Sequence, residues 1–185
     1  MMEKPEYNID KKYAQVDRSG IHHKGVFALQ DIPKGTVIME YTGIIMTKEE
    51  SDMLMDQTAE KHRKDPEKFA LTYIFQLDDD RFLDGDLPDN DAKYINHSCD
   101  PNCEVEIGKN SVWIITLRDI KKGEEITYNY GFEVDEYKVE DLISHRCRCG
   151  TKKCVGYILA EDEWPRIPEL LEREKQFRQS NKVLN

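Results

Sequence analysis

A chain of 185 residues, 35% of them charged and with a net charge of −10, fits one domain with a proper core and at most a small appendage. The acidic balance argues against direct nucleic-acid binding, because phosphate contacts need a basic surface. It favours a basic peptide as partner, which an acidic cleft attracts and steers, although the same charge also serves solubility alone.

Membrane and secreted classes fit poorly. No apolar run approaches the roughly 18 residues of a membrane span, and the opening MMEKPEYNIDKKYAQVD lacks a signal-peptide core. Three of the five cysteines crowd between positions 147 and 154. In a reducing compartment that clustering reads as metal binding rather than a disulfide framework, so an intracellular protein is expected.

In chain order, residues 1–17 are polar and read as a loose arm. SGIHHKG leads into the apolar run Val26-Phe27-Ala28, and a DIPKG turn at 31–35 follows. Residues 37–41 and 44–46 read as strands on either side of Thr42-Gly43. Thr47 then opens a charged, weakly amphipathic helix to about Lys64, with Glu50 as its capping partner. Residues 71–77 form a strand, 78–81 a turn into Phe82-Leu83, and an Asp/Gly/Pro-rich loop over 84–91 leads to YINHSCDPNC at 94–103. A hairpin pairs 105–107 with 112–117. A second turn, DIKKG at 119–123, feeds a strand over 125–130; it resembles the first, but two short turns do not establish a repeat. An acidic connector, the cysteine cluster and, after Trp164-Pro165, a helix over about 169–180 complete the chain. Leu170, Leu171 and Phe177 are the candidates for the buried side of that helix. The expected class is mainly β (α+β), a β-rich domain with a metal-binding appendage.

C-x-C-x4-C at Cys147, Cys149 and Cys154 brings three thiolates into one tight loop, and Gly150 lets the backbone fold around an ion. Three ordinary buried thiols would be unusual in so charged a segment. Cys99, Cys103, His145 and His97 are the candidates for a fourth ligand. Recruiting Cys99 closes a loop of about 50 residues at roughly 3 kcal/mol. A structural zinc returns roughly 10–16 kcal/mol, which more than offsets that closure. The ion is expected to be structural, with no open position, and the segment after Phe132 to be disordered without it.

Taken in order, IHHKGVFA, EYTG, LTYIF, NHSCDPN, GEEITYNYGF and CRCGTKKC resemble the SET domain family of protein lysine methyltransferases with its cysteine-containing post-SET segment. The match runs over 19–158. As a set these motifs are highly specific, though NHSC alone is weak, and nothing resembles a cysteine-rich pre-SET module. The resemblance implies a SET-type β-clip fold of several small sheets with a C-terminal pseudoknot. In domain terms it gives an arm at 1–17, a SET domain at 18–132 with a helical insert at about 47–68, a post-SET segment at 133–160 and a helix and tail at 161–185.

It further implies S-adenosylmethionine as cofactor, zinc as structural metal and a basic protein or peptide as substrate. By resemblance Tyr130 is the catalytic tyrosine, and Tyr41, Tyr73, Phe75 and Tyr128 line the substrate lysine channel. His23, Lys24, Gly25, Tyr73, Asn96, His97 and Tyr130 contact the cofactor, while Cys99, Cys147, Cys149 and Cys154 hold zinc. A tyrosine at 128 implies mono- or dimethylation. A His-Ser pair at 97–98 also suggests a hydrolase, but neighbours on a strand face opposite ways.

The chain departs from the family at His23, where a first Gly is usual, and at Asn129, where Asp is common. A His needing positive φ would be strained there. Histone tails are the family's prominent targets, but no residue here selects a histone over another basic protein. Nucleus, cytoplasm or export as an effector all stay open. The competing reading is a catalytically silent SET-like zinc module that binds a protein partner, with a small-molecule enzyme a distant third.

Overall fold

The computed structural model describes residues 12–65, 72–133 and 145–182. Their contacts divide into two compact units, the first made by residues up to Asn96 together with 102–127, the second by 97–101 together with residues from Tyr128 onward. The strands are β1 (Ala14–Arg18), β2 (Lys24–Ala28), β3 (Val37–Tyr41), β4 (Ile44–Thr47), β5 (Ile74–Gln76), β6 (Arg81–Asp84), β7 (Asn96–His97), β8 (Cys103–Ile107), β9 (Val112–Thr116) and β10 (Glu125–Tyr128). The helices are α1 (Lys48–Lys64) and α2 (Ile167–Lys182). No described helix is long and apolar enough to cross a membrane.

The first unit consists of three small sheets, in the orders β1-β2-β10-β7, β3-β9-β8 and β4-β6-β5. Its core explains why the two similar turns exist. Val26 and Ile114, Ile32 and Ile120, and Ile38 and Ile126 are all fully buried, and each pair occupies equivalent places in the stretches beginning VFALQDIPKG and IITLRDIKKG. The two turns grip each other reciprocally. Ile32 and Ile120 exchange backbone hydrogen bonds of 2.8 and 2.9 Å. Asp119 accepts from the Lys34 N–H and Asp31 from the Lys122 N–H, both at 2.9 Å. Each turn ends on a glycine of positive φ, Gly35 and Gly123, where a side chain would be strained.

The strand before each turn pairs with the strand after the other: β2 with β10 and β9 with β3, both antiparallel. An internal two-fold repeat, which the two turns alone did not establish, therefore organises this core. Alternation inside and out along β9, where Val112, Ile114 and Thr116 are buried, is what a half-buried strand requires.

Several elements differ from expectation. Residues 14–17, assigned to the loose arm, form most of β1 and pair antiparallel with β2; a single valine in AQVDR gives too weak a pattern to read. The strand expected over 71–77 is confined to Ile74–Gln76, with Leu71 outside the described residues. The strand expected over 125–130 ends at Tyr128, because the Tyr130 N–H turns to a side chain, His97 Nδ1, at 3.2 Å. The α1 cap is as expected: Glu50 N–H donates to Thr47 Oγ1, and the Glu50 carboxylate accepts from Thr47 N–H.

In the second unit α2 starts at Ile167, after a six-residue 3-10 turn (Glu161–Arg166). Leu170 is fully buried, but Leu171 is 47% exposed. The buried stripe continues through Glu174, also buried, to the half-buried Phe177. These three follow helical spacing, and Leu171 falls about 100° away from Leu170. Most of the acidic connector, 134–144, lies outside the described residues, as does the expectation of its disorder without metal.

Candidate active site and metal centre

In the first unit the chain gathers around the side-chain amide of Asn96. Its Nδ2 donates to Lys24 O at 2.8 Å and Glu125 Oε1 at 2.7 Å, with Ser19 Oγ close by at 3.1 Å. Ser19 Oγ in turn donates to the Glu125 carboxylate at 2.7 Å and accepts from the Ile21 N–H at 2.9 Å. With Nδ2 so committed, the orientation of the amide is fixed and Oδ1 is left to accept from a proton-bearing group. Gly25 is required here by close approach: a Cβ would lie 2.3 Å from Glu125 Oε1 and 2.9 Å from Ser19 Cβ. The sequence reading named Lys24, Gly25 and Asn96, which the structure brings together. It missed Ser19 and Glu125, which hold them, because a Ser and a Glu 106 residues apart carry no local signal of meeting.

His23, in the same turn, has a φ of +29°. That region disfavours any residue with a Cβ by about 1–2 kcal/mol, so the departure from the family's glycine is strained as expected. His23→Gly should raise stability by about 0.5–1 kcal/mol after allowing for glycine's greater freedom in the unfolded chain. Urea titration would read this as a higher midpoint at unchanged slope.

The aromatic residues of the first unit form a second cluster. Tyr41, 2% exposed, donates its hydroxyl to Tyr73 O at 2.8 Å and meets the Phe75 ring edge-on at 4.7 Å. Burial, then the Asp86 carboxylate, pushes the Tyr73 phenol above its ordinary pKa, so it stays neutral. Lys93 is a further residue that the sequence reading overlooked. Its side chain is only 8% exposed; Nζ donates to Leu87 O at 2.8 Å and pairs with Asp86 at 3.0 Å. The same ammonium lies 5.6 Å from the Tyr73 ring and 5.3 Å from Tyr94, within reach of their π faces.

In the second unit Tyr130 is fixed through its backbone. Its N–H donates to His97 Nδ1 at 3.2 Å, and its ring packs edge-on against His97 at 5.4 Å and Phe132 at 5.9 Å. The Tyr128 ring lies 5.0 Å away, and Tyr128 O accepts from the Ser98 N–H at 3.1 Å. His97 is buried and spans two tasks, since its Nε2 lies 3.5 Å from Cys99 Sγ. An Nδ1 that accepts assigns the proton to Nε2, which then donates to the sulfur. Both ring nitrogens of His97 are therefore engaged inside the protein.

The four sulfurs of Cys99, Cys147, Cys149 and Cys154 lie within 4.8 Å of one another. Among the four candidates for the fourth position, Cys99 is the one that joins. His97 contacts Cys99 from outside the group, His145 stacks edge-on with Phe132 at 5.1 Å, and Cys103 is buried in β8 opposite Thr116. Burial pushes the Cys103 thiol up to about 12, so it remains protonated.

The geometry suits zinc. The Cys99 and Cys147 sulfurs are 3.7 Å apart, close to the edge of about 3.8 Å of a sulfur tetrahedron with Zn–S bonds of about 2.3 Å. Without a cation the Cys99 and Cys147 sulfurs share a proton between them, with the Cys99 thiol depressed and the Cys147 thiol raised. A dication replaces the thiol protons and leaves four thiolates. Gly150, at positive φ, and a Cys154 N–H to Thr151 O hydrogen bond of 3.1 Å shape the loop.

Small antiparallel sheets, an Asn-His pair before a buried thiol, a tyrosine pinned to that histidine and four converging cysteines define a β-rich domain followed by a cysteine loop that could hold a metal ion. The SET domain family model matches residues 23–131, and this chain belongs to that family. Among curated proteins it is 36% identical, over 80% of its own length, to "Histone-lysine N-methyltransferase, H3 lysine-4 specific" of Chaetomium globosum. It is 33% identical to "Histone-lysine N-methyltransferase trithorax" of Drosophila virilis and 34% identical to "Histone-lysine N-methyltransferase set-2" of Caenorhabditis elegans, again over 80% of its length. These proteins are far longer: the matched region is 13%, 4% and 9% of them respectively.

Proposed function

We propose that this chain is an S-adenosylmethionine-dependent protein lysine N-methyltransferase that adds one or two methyl groups to a basic protein segment. The histone H3 tail around lysine 4 is the first substrate to test, because relatives carry that specificity in their names. Nucleus or cytoplasm is the compartment this reading implies, and zinc is the structural metal. The observation that carries the reading is the fixing of Tyr130 by His97, in a chain of the SET family.

When bound, S-adenosylmethionine supplies an electrophilic methyl group on a positively charged sulfur. Asn96 Oδ1 is assigned to accept from the ammonium of that cofactor. His97, whose ring nitrogens are engaged elsewhere, is assigned a backbone contact. His23, Lys24 and Gly25 meet the cofactor through their turn, and Tyr73 through its side chain. Tyr41, Tyr73, Phe75 and Tyr128 are assigned to the substrate lysine. Loss of water in the aromatic channel and the positive sulfur nearby both disfavour its ammonium form, so the amine becomes neutral without a dedicated base. Tyr130 directs that amine, and such placement supplies several kcal/mol of barrier lowering.

The test is transfer from methyl-labelled cofactor to an H3 tail peptide, with the Lys4→Arg peptide as control and a whole-cell extract beside it. Label in the peptide or in one extract band supports the reading. Absence of cofactor binding by calorimetry overturns it in favour of the silent zinc module. Tyr128→Phe should move the product toward trimethyllysine, because the lost hydroxyl frees the space of a held water. An unchanged methyl distribution by mass spectrometry would count against the Tyr128 assignment.

A further inference from the structure

The C-terminal helix is built into the cysteine cluster, and Tyr157 is where the two join. A short antiparallel ladder runs through Arg146 and Tyr157, with Cys147 N–H donating to Gly156 O at 3.0 Å and Ile158 N–H to His145 O at 2.7 Å. The Tyr157 carbonyl lies 3.8 Å from Cys99 Sγ. Its side chain points the other way, into a core with Leu159 and Leu170 that Trp164 and Ile167 cover. There its hydroxyl donates to the carboxylate of Glu174 on α2.

Glu174 is 3% exposed and has two further donors. One is Arg146, the residue before the ligand Cys147; the other is Arg178 Nε, at 2.7 Å. The Arg146 guanidinium also lies over the Tyr157 ring at 4.5 Å. Burial pushes the Glu174 carboxyl up, but Arg146, Tyr157 and Arg178 outweigh it and hold it at about 2. One ionised carboxylate thus fixes both the neighbour of Cys147 and the residue whose carbonyl meets Cys99. Charge-assisted bonds of this kind are short and directional.

We propose that Glu174 is a positioning residue for the four thiolates, and that the metal-binding module of this chain includes α2 instead of ending at the last cysteine. This rests on the zinc reading above. A ligand loop held from behind loses less freedom when it closes on an ion, and outer partners of metal ligands are typically worth about 10–100-fold in affinity.

The test uses the full chain reconstituted with Co²⁺. Thiolate-to-cobalt absorption reports the ligand geometry, and competition with Zn²⁺ gives the affinity. Glu174→Ala is expected to weaken Zn²⁺ binding about 10–100-fold and alter the cobalt bands, and Tyr157→Phe about tenfold. Glu174→Gln, which keeps an acceptor for the Tyr157 hydroxyl, should fall between Glu174→Ala and wild type. Leu171→Ala, on the exposed side of α2, should match wild type. Wild-type affinity and spectrum in Glu174→Ala would overturn the proposal. If that variant does not fold, unchanged affinity in Tyr157→Phe, which removes a single oxygen, overturns it equally. A wild-type chain that takes up no cobalt defeats the zinc reading and the proposal with it, whereas uptake unaffected by these variants defeats only the role of Glu174.

Discussion

Tyr130→Phe is expected to slow methyl transfer about 100- to 1,000-fold, the usual loss on removing one oriented hydrogen-bonding group at a reacting centre. Folding and cofactor affinity should change little. The anchor of this residue is its backbone N–H on His97 Nδ1, which phenylalanine keeps. The ring contacts with His97, Tyr128 and Phe132 are likewise made by carbon atoms that phenylalanine retains. Only the hydroxyl is lost, so an effect confined to the chemical step is the signature of a directing role. Single-turnover transfer from labelled cofactor measures the step, and calorimetry with S-adenosylhomocysteine measures binding. If turnover in Tyr130→Phe equals wild type, the catalytic assignment fails.

The sequence disclosed the parts of this protein whose signal is local. Alternating apolar residues announced β3 and β9, a Thr-x-x-Glu box announced the start of α1, and C-x-C-x4-C announced a metal loop. Contacts made across distance were not legible. Cys99 could be one of four candidates for the last ligand, because spacing says nothing about which distant thiol folds back. His97 read as a cofactor residue by resemblance, yet its ring binds Cys99 and the Tyr130 N–H. Neither partner is visible without the fold. Leu171 looked equivalent to Leu170 because both are apolar neighbours on a helix; the stripe shared with Glu174 decides between them, and a buried glutamate is the last residue a hydrophobic pattern would choose. The repeat was hidden for a related reason. Two DI-x-KG turns are common chemistry, and only the reciprocal bonds between Ile32 and Ile120 show that they form one core.

Removing the metal should have the largest structural effect, and Cys99→Ser should reproduce it. A structural zinc supplies roughly 10–16 kcal/mol of folding free energy, as much as the whole net stability of about 5–15 kcal/mol that a domain possesses. The second unit has little with which to replace it. Among the described residues its buried apolar cluster is Tyr157, Leu159 and Leu170, to which ring contacts such as Phe132 on His145 add only a few more apolar ties. Chelation is therefore expected to abolish hydrogen-exchange protection at Cys147, Cys154 and Ile158, whose N–H groups bond within the loop. The β-sheets of the first unit, with cores at Val26, Ile114 and Ile126, should keep theirs. Cys99→Ser removes the ligand that is distant in sequence and should cut bound zinc, measured by plasma mass spectrometry, to a small fraction of one equivalent. Cys103→Ser provides the contrast. That thiol is buried and held protonated, so the variant loses about 1–3 kcal/mol for a poorly partnered buried hydroxyl but retains a full equivalent of zinc. Zinc lost from the Cys103 variant and kept by the Cys99 variant would show that the wrong sulfur has been placed in the tetrahedron.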